Sequence, residues 1–216
     1  AMAFLVGLDV GTTGTKTLLI DERGQVIASA LAEYPMAVPR PNWAEQDPAD
    51  WWRAAVATIR SVLADSGVDP TQLKGVGLSG QMHGSVFLDG DNKVIRPAIL
   101  WCDQRTAAQC QWIHEAVGYE TVVAETLNPV LAGFQAPKIV WLRDNEPENY
   151  ARVCKVLLPK DYVRFLLTGE YATEVSDASG TSLLNVPERR WSEAMIKGIG
   201  LSEEWLPRVF ESPEIS

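Results

Sequence analysis

The stretch GLDVGTTGTKTLLID, residues 7–21, places a turn rich in glycine and threonine between two apolar runs. The runs at residues 4–10 and 15–20, and a third at residues 26–31, are typical of strands. The links between them, GTTG and DERG, are too short for a crossover, so neighbouring strands must be antiparallel. The sequence therefore predicts a three-stranded meander that begins near the N-terminus.

The turn between the first two strands predicts a phosphate site. Gly11 and Gly14 allow positive φ and the close approach of an anion, and exposed backbone amides in such a turn form an anion-binding nest. The Walker A and dinucleotide fingerprints are both excluded, because the spacing differs and a strand follows the turn where those loops require a helix. A tight hairpin without a ligand is the alternative. The candidate phosphate ligands are Gly11, Thr12, Thr13, Gly14 and Lys16.

Asp9 precedes this turn and would repel a phosphate unless a cation lay between them. Mg²⁺ suits that position, because it binds one or two carboxylates together with phosphate oxygens and retained waters. Asp9 is therefore the candidate metal ligand.

The remainder of the chain predicts alternating helices and strands. Asp47 and Pro48 are typical of a helix start, and Gly67 of a helix end. The apolar residues between them recur at helical spacing and predict the buried face; they are Trp52, Val56, Ile59 and Leu63. Further strands are predicted at 73–78 and 85–88, and further helices at 106–117, 137–145 and 162–167. This order indicates an α/β domain with a mixed sheet.

Composition narrows the classes of partner. The 216 residues carry a net charge of −9, which argues against nucleic acid and against a polybasic membrane surface, since both need excess cations. No apolar run approaches membrane-spanning length. The three cysteines match no zinc spacing and are expected to be free thiols in a reducing cytosol, so a cytoplasmic location is predicted.

Two further segments carry candidate binding residues. In SGQMHG, residues 79–84, Gln81 and His83 offer donors and acceptors suited to sugar hydroxyls. The alternative is that Met82 packs in the core and His83 caps a strand end. In WCDQR, residues 101–105, Trp101 offers an apolar platform for a sugar face or a core anchor. Its neighbours allow two roles as well, either lining a pocket or, for the aspartate, capping a helix; they are Asp103 and Arg105.

Four segments together resemble the FGGY family of carbohydrate kinases: GLDVGTTGTK, GLSGQMHGSVFLD, RPAILWCDQRT and VLLPKDYVRFLLTGEYATEVSDASGTSLLNV. The resemblance implies a ribonuclease-H-like fold of the actin-like ATPase superfamily, with a mixed sheet and helices on both faces. It also implies that residues 3–216 form the N-terminal, sugar-binding domain. Gln135 departs from the family pattern, which commonly has a small hydroxyl residue or proline before the lysine of APKIVW.

The same resemblance implies the function. The full-length protein would transfer a phosphoryl group from ATP, with Mg²⁺, to a sugar, and the combination of GQMHG, WCDQR, LPKDY and SDASGT is most similar to the xylulose-phosphorylating branch. Met82 and His83 would lie at the sugar pocket. The base, an aspartate, and the nucleotide-binding domain would lie outside this chain, which alone should be inactive.

Several alternatives stay open at this point. The sugar could be another ketose or a polyol, or the chain could be a non-catalytic sugar-binding module. A homodimer is an assembly that the resemblance allows. LPKDY and SDASGT favour scaffold roles, with Pro159 and Asp161 typical of a helix start, and Asp177 and Ser179 typical of a cap or turn.

Overall fold

The computed structural model describes residues 3–216. Within that range the strands are β1 (Phe4–Val10), β2 (Gly14–Asp21), β3 (Val26–Glu33), β4 (Glu45–Gln46), β5 (Leu73–Gly80), β6 (Val86–Leu88), β7 (Ala98–Ile99), β8 (Lys155–Leu157), β9 (Ala172–Glu174), β10 (Leu184–Asn185), β11 (Arg190–Trp191) and β12 (Arg208–Phe210). The α-helices are α1 (Pro48–Ser66), α2 (Ala107–Val117), α3 (Tyr119–Thr126), α4 (Gln135–Asn145), α5 (Pro147–Tyr150), α6 (Pro159–Thr168), α7 (Val175–Ala178) and α8 (Glu193–Ile199).

The chain divides into two compact units. The first contains the described residues up to Met36 together with Asp47–Gln81. Its four-stranded sheet has the order β3-β2-β1-β5, with antiparallel pairs β1/β2 and β2/β3 and a parallel pair β1/β5. The predicted meander and mixed sheet are therefore confirmed.

Helix α1 packs against this sheet and begins and ends where the sequence predicts. Asp47 caps it by accepting a hydrogen bond from the Ala49 backbone N–H at 2.9 Å. Gly67 ends it in the left-handed conformation, with φ of 67°, which glycine adopts without steric cost. The cap donor and the terminal glycine are local signals, which is why sequence alone located both ends.

The buried face of α1 differs from the prediction by one residue. The predicted residues, Trp52, Val56, Ile59 and Leu63, are only half-buried. The fully buried face runs through Trp51, Ala55, Thr58 and Val62. The prediction counted only apolar residues and so overlooked Thr58. A hydroxyl can join a core when it is hydrogen-bonded, and Thr58 Oγ1 lies 2.7 Å from Thr17 Oγ1 on β2.

The second unit contains Ala37–Gln46 and Met82–Ser216. Its strands form the pairs β4/β7, β6/β8, β10/β11 and β9/β12. Its core joins Phe87 and Ile99 to the apolar side of α4 and to α8. Helix α6 begins at Pro159, as predicted, whereas α7 is capped by Glu174, which accepts from the Ser176 and Asp177 backbone N–H groups. Asp177 is therefore not the cap.

The prediction that residues 3–216 act as one sugar-binding domain stays a prediction, as does the placing of helices on both faces of the sheet. Among the described residues, no helix is long and apolar enough to cross a membrane. The three cysteines are free, as predicted.

Candidate functional site

The turn between β1 and β2 is held in place by hydrogen bonds to its backbone. Its ends are joined by the Gly11 N–H, which donates to the Gly14 carbonyl at 3.0 Å. The Gly11 carbonyl accepts from the Tyr34 hydroxyl at 2.6 Å and from Gln81 Nε2 at 3.3 Å. Burial raises the pKa of Tyr34 to about 12, with smaller contributions from the nearby carboxylates. The hydroxyl therefore keeps its proton, and donates it, throughout the physiological range.

The two glycines of this turn are required for a different reason from the one predicted. Neither Gly11 nor Gly14 has a positive φ. A Cβ at Gly14 would instead lie 2.7 Å from the Ala32 carbonyl oxygen, and one at Gly11 would lie 3.0 Å from the Gly14 carbonyl oxygen. The turn needs glycine because backbone approaches backbone too closely for a side chain.

Asp9 and Lys16 occupy one face of the sheet beside the turn. They are cross-strand partners in β1 and β2, and Ser79 of β5 is the partner of Asp9 on its other side. Both side chains are exposed, and Ser79 Oγ donates to Asp9 Oδ1 at 3.0 Å. The described residues contain no group of three or more His, Cys, Asp or Glu side chains arranged for a metal. One exposed carboxylate nevertheless fits Mg²⁺, which completes its shell with waters and phosphate oxygens.

Gln81 lies in the first unit and supports the turn. Besides its side-chain bond to Gly11, its backbone N–H donates to the Val10 carbonyl at 2.8 Å, and the residue is buried. Its contact with a sugar stays a prediction.

The next two residues, in the second unit, combine an exposed apolar side chain with a tightly held histidine. Met82 is 42% exposed, as Trp101 is at 39%, so neither is the core residue that the alternative predicted. His83 has a φ of 64°, a region that residues with a Cβ enter only when the surroundings enforce it.

The hydrogen bonding of His83 assigns its tautomer. Nδ1 lies 2.8 Å from the Gly180 carbonyl oxygen; a carbonyl only accepts, so Nδ1 carries the proton. Burial lowers the pKa of His83, and the Gly180 bond opposes that shift only in part. The imidazole is therefore neutral near pH 7, and the lone pair of Nε2 can accept a hydrogen bond from a hydroxyl.

Lys138 of α4 lies beneath this segment. It is fully buried, and its Nζ donates to the carbonyl oxygens of His83 at 2.8 Å and Gly133 at 2.7 Å. The Cα of Gly133 faces the Trp101 carbonyl so closely that a Cβ there would lie 2.6 Å from that oxygen. One amine thus ties together the segments that carry His83 and Trp101.

Asp103 and Arg105 form a buried ion pair. Arg105 Nε and Nη2 donate to Asp103 Oδ1 and Oδ2 at 2.9 and 2.7 Å, and Nη2 lies 2.8 Å from Glu45 Oε1. The guanidinium also lies over the Trp43 ring, 3.6 Å from its centroid. The side chains of Asp103 and Arg105 are 0% and 1% exposed. This geometry therefore favours a role in supporting the Trp101 segment over contact with a ligand. Asp103 does not cap α2.

A second buried charge cluster joins LPKDY to SDASGT. Lys160 Nζ lies 2.8 Å from Asp161 Oδ1, 2.8 Å from Asp177 Oδ2 and 3.4 Å from Glu174 Oε1. Burial raises the pKa of Asp161 to about 6, although Lys160 opposes the shift. Burial would also lower the pKa of Lys160, but its carboxylate partners outweigh it and the pKa is raised. The cluster fixes the segment that carries Gly180.

Residues 4–216 match the model of the FGGY family of carbohydrate kinases, N-terminal domain. The chain belongs to this family. This match confirms that the four motif segments mark an FGGY kinase. The similarity to solved sugar kinases confirms the fold class.

Relatives of the FGGY chain include xylulose kinases. That of Escherichia coli (strain K12) is 40% identical over 211 residues, which cover 98% of this chain and 43% of the relative. That of Lactococcus lactis is 42% identical over 217 residues, 99% of this chain and 42% of the relative. A solved "xyloylose kinase" from Brucella ovis superposes with a TM-score of 0.93 at 43% identity, over 99% of this chain and 44% of that one.

A gluconate kinase from Lactobacillus acidophilus superposes almost as well, with a TM-score of 0.90 at 26% identity, over 97% of this chain and 42% of that one. The solved structures similar to this chain are therefore named for more than one substrate. This chain spans less than half the length of each of these FGGY relatives.

Sequence reasoning missed four residues that shape the site. Tyr34 lies in no recognised motif, Lys160 stands in LPKDY without a predicted role of its own, and Lys138 was noted only for its place in APKIVW. Gln135 was noted only as a departure from the family pattern, whereas its Nε2 donates to the Gly84 carbonyl at 3.1 Å. A lysine or glutamine inside an otherwise apolar helix was the one available signal, since such residues are rarely buried without partners.

Proposed function

We propose that the full-length protein transfers the γ-phosphoryl group of ATP to the 5-hydroxyl of D-xylulose, and that this chain supplies the sugar-binding residues and the first phosphate loop. The observation that carries the proposal is that a neutral, oriented His83 lies next to an exposed Met82. The chain that contains them belongs to the FGGY family and is 40% identical to a xylulose kinase. Such a histidine accepts a hydrogen bond from a hydroxyl, while Met82 and Trp101 offer apolar surface to the carbon face of a sugar.

Phosphoryl transfer sets the remaining roles. The sugar oxygen bonds to the γ-phosphorus, the bond from that phosphorus to the β–γ bridging oxygen breaks, and ADP leaves. The hydroxyl proton passes to an aspartate that the family resemblance places outside this chain. Within the chain, the backbone amides of the β1–β2 turn, the Thr12 and Thr13 hydroxyls and Lys16 would bind phosphate oxygens. Asp9 would hold Mg²⁺, whose charge would offset that of the phosphates.

Gln81 and the Asp103–Arg105 pair have supporting roles in this proposal. Gln81 is proposed to hold the phosphate loop through Gly11 as well as facing the sugar. Asp103 and Arg105 are proposed to support Trp101 from within the core. Because the aspartate base and the rest of the nucleotide site are expected outside the chain, the 216 residues alone should show no turnover; loss of a general base alone costs about 10²–10⁴-fold.

The test is ATP-dependent ADP release by the full-length protein across ketoses, polyols, gluconate and glycerol, with the 216-residue chain measured alongside. We expect a peak with D-xylulose and silence from the chain. Met82→Ala should raise the KM for the sugar, whereas Met36→Ala, a methionine of similar exposure at 45%, should not. A peak with another sugar would refute the substrate; no turnover with any of them would favour a binding module.

A further inference from the structure

His83 needs support from outside its own segment. A left-handed backbone at a residue with a Cβ is strained and persists only where neighbouring structure over-determines it. Within the segment, the Gly84 N–H donates to the Met82 carbonyl at 2.8 Å, which closes a tight turn around His83. The carbonyls of His83 and Gly84 take no part in that bond. Both point into the protein, where each needs a hydrogen-bond donor.

Both donors come from the first turn of α4. Lys138 Nζ donates to the His83 carbonyl at 2.8 Å, and Gln135 Nε2 donates to the Gly84 carbonyl at 3.1 Å. The two residues are three apart in the helix and therefore project from one face. Both are buried, at 0% and 2% exposure, so water does not compete for these carbonyls.

The imidazole is fixed from the other side. Its Nδ1 donates to the Gly180 carbonyl, and its ring lies against that of Phe134, with 4.6 Å between centroids. A Cβ at Gly180 would lie 2.2 Å from His83 Cε1, so no side chain fits there. Backbone and ring are thus held separately, and Nε2 is the ring atom left to meet a ligand.

We propose that Gln135 and Lys138 are positioning residues that hold the His83–Gly84 backbone and thereby aim His83 Nε2 at the sugar. The inference rests on the proposed function for its ligand, but the conformation of His83 can be measured without any activity. This role of Lys138 does not depend on its charge, because a neutral amine retains two N–H donors for its two carbonyl acceptors, His83 and Gly133.

The kinetic test uses the full-length protein with Gln135→Leu and Lys138→Met, each of which keeps most of the apolar bulk of the side chain and removes its hydrogen-bond donor. We expect each to raise the KM for D-xylulose about tenfold while the KM for ATP changes less than twofold. Gln111→Leu, the same substitution at an exposed position of α2, is the matched control. Equal rises in both KM values, or an unchanged sugar KM in folded variants, would overturn the proposal.

Should the α4 variants fail to fold, Gly180→Ala addresses His83 from the opposite side. Its Cβ displaces the ring, so the same selective rise in sugar KM is expected. Gly77→Ala, where an added Cβ meets nothing within 4 Å, is the control. An unaltered sugar KM in Gly180→Ala would count against the importance of the ring orientation.

A spectroscopic measurement separates this proposal from the proposed function. In full-length protein labelled with ¹⁵N-histidine, with the His83 signals assigned by their loss in His83→Asn, we expect the Nδ1–H tautomer. Gln135→Leu and Lys138→Met should shift it toward a mixture of tautomers. A protein that phosphorylates no sugar but shows this shift would retain the positioning role and lose the kinase assignment; identical spectra in wild type and folded variants would refute positioning.

Discussion

Single buried charges carry much of the architecture around the candidate sugar residues. Arg105 lies over the Trp43 and Trp141 rings, 3.6 and 4.8 Å from their centroids, and pairs with Asp103 and Glu45. Breaking a buried pair by removing one partner is costly, because the remaining charge has lost its counter-ion and cannot reach water.

Arg105→Met tests how much the Asp103–Arg105 ion pair contributes to the free energy of unfolding. We expect a loss of about 3–5 kcal/mol in the free energy of unfolding, since Asp103 keeps only backbone donors for its charge. Urea denaturation measures it, with Arg53→Met as the control at a largely exposed ion pair, where about 0–1 kcal/mol is expected. A similar small effect at both sites would contradict the structural role assigned to Arg105.

Lys138 leads to a prediction about pH. Burial lowers its pKa from 10.5 to about 7, with Asp103, Cys102 and Cys110 opposing and Arg105 assisting the shift; His83 also faces it. Between pH 7 and 10.5 the unfolded chain binds the proton more strongly, so stability rises with pH across that window. Relative to Lys138→Met, the wild type should gain up to about 1.4 kcal/mol per pH unit.

Urea unfolding of wild type and Lys138→Met at pH 6, 7, 8 and 9 measures this difference. Other titrating groups are shared and cancel in the comparison. A difference that stays flat above pH 7 would show that Lys138 remains charged in the folded protein.

Strand β2 approaches β3 closely at Gly14, and this contact shapes the candidate phosphate loop. The hydrogen bond from the Tyr34 N–H to the Thr13 carbonyl, at 3.2 Å, continues the pairing into the loop itself. The loop is thus an extension of the sheet, which explains how backbone amides stay oriented without a helix behind them.

Gly14→Ala should disturb this contact. Its Cβ would lie 2.7 Å from the Ala32 carbonyl oxygen, so β2 and β3 must separate and the loop must shift. We expect at least a tenfold weaker affinity of the full-length protein for ADP by calorimetry, together with a lower melting temperature. Gly77→Ala on β5 is the control; wild-type affinity in Gly14→Ala would show that the loop tolerates the separation.

At the scale of the whole molecule, net charge limits what the chain can bind. With −9, the long-range field repels polyanions, and phosphate binding must come from local backbone dipoles. The chain should therefore pass through immobilised heparin at 50 mM salt without retention. A parallel run on an anion exchanger, where retention is expected, shows that the sample is intact. Salt-sensitive retention on heparin would reveal a cationic patch and contradict the prediction that the chain binds no nucleic acid.

How far the sequence alone could predict this molecule depends on the range of the interaction. The β1–β2–β3 meander and both ends of α1 follow from neighbouring residues and were predicted correctly. The prediction of the buried face of α1 was wrong by one position, because it counted only apolar residues and the buried face includes Thr58. Lys138 donates to the His83 carbonyl 55 residues away and Gln135 to the Gly84 carbonyl 51 residues away, and no local pattern encodes these distant pairings.

Lys138 has a consequence for the covalent chemistry of the protein. An amine that has lost its proton is a nucleophile, and at neutral pH this one is far closer to that state than a surface lysine. It is also wholly enclosed, so an acylating reagent can reach it only when the structure around it opens. Acylation there would remove a donor that the segment around His83 needs, and a brief opening would become permanent damage.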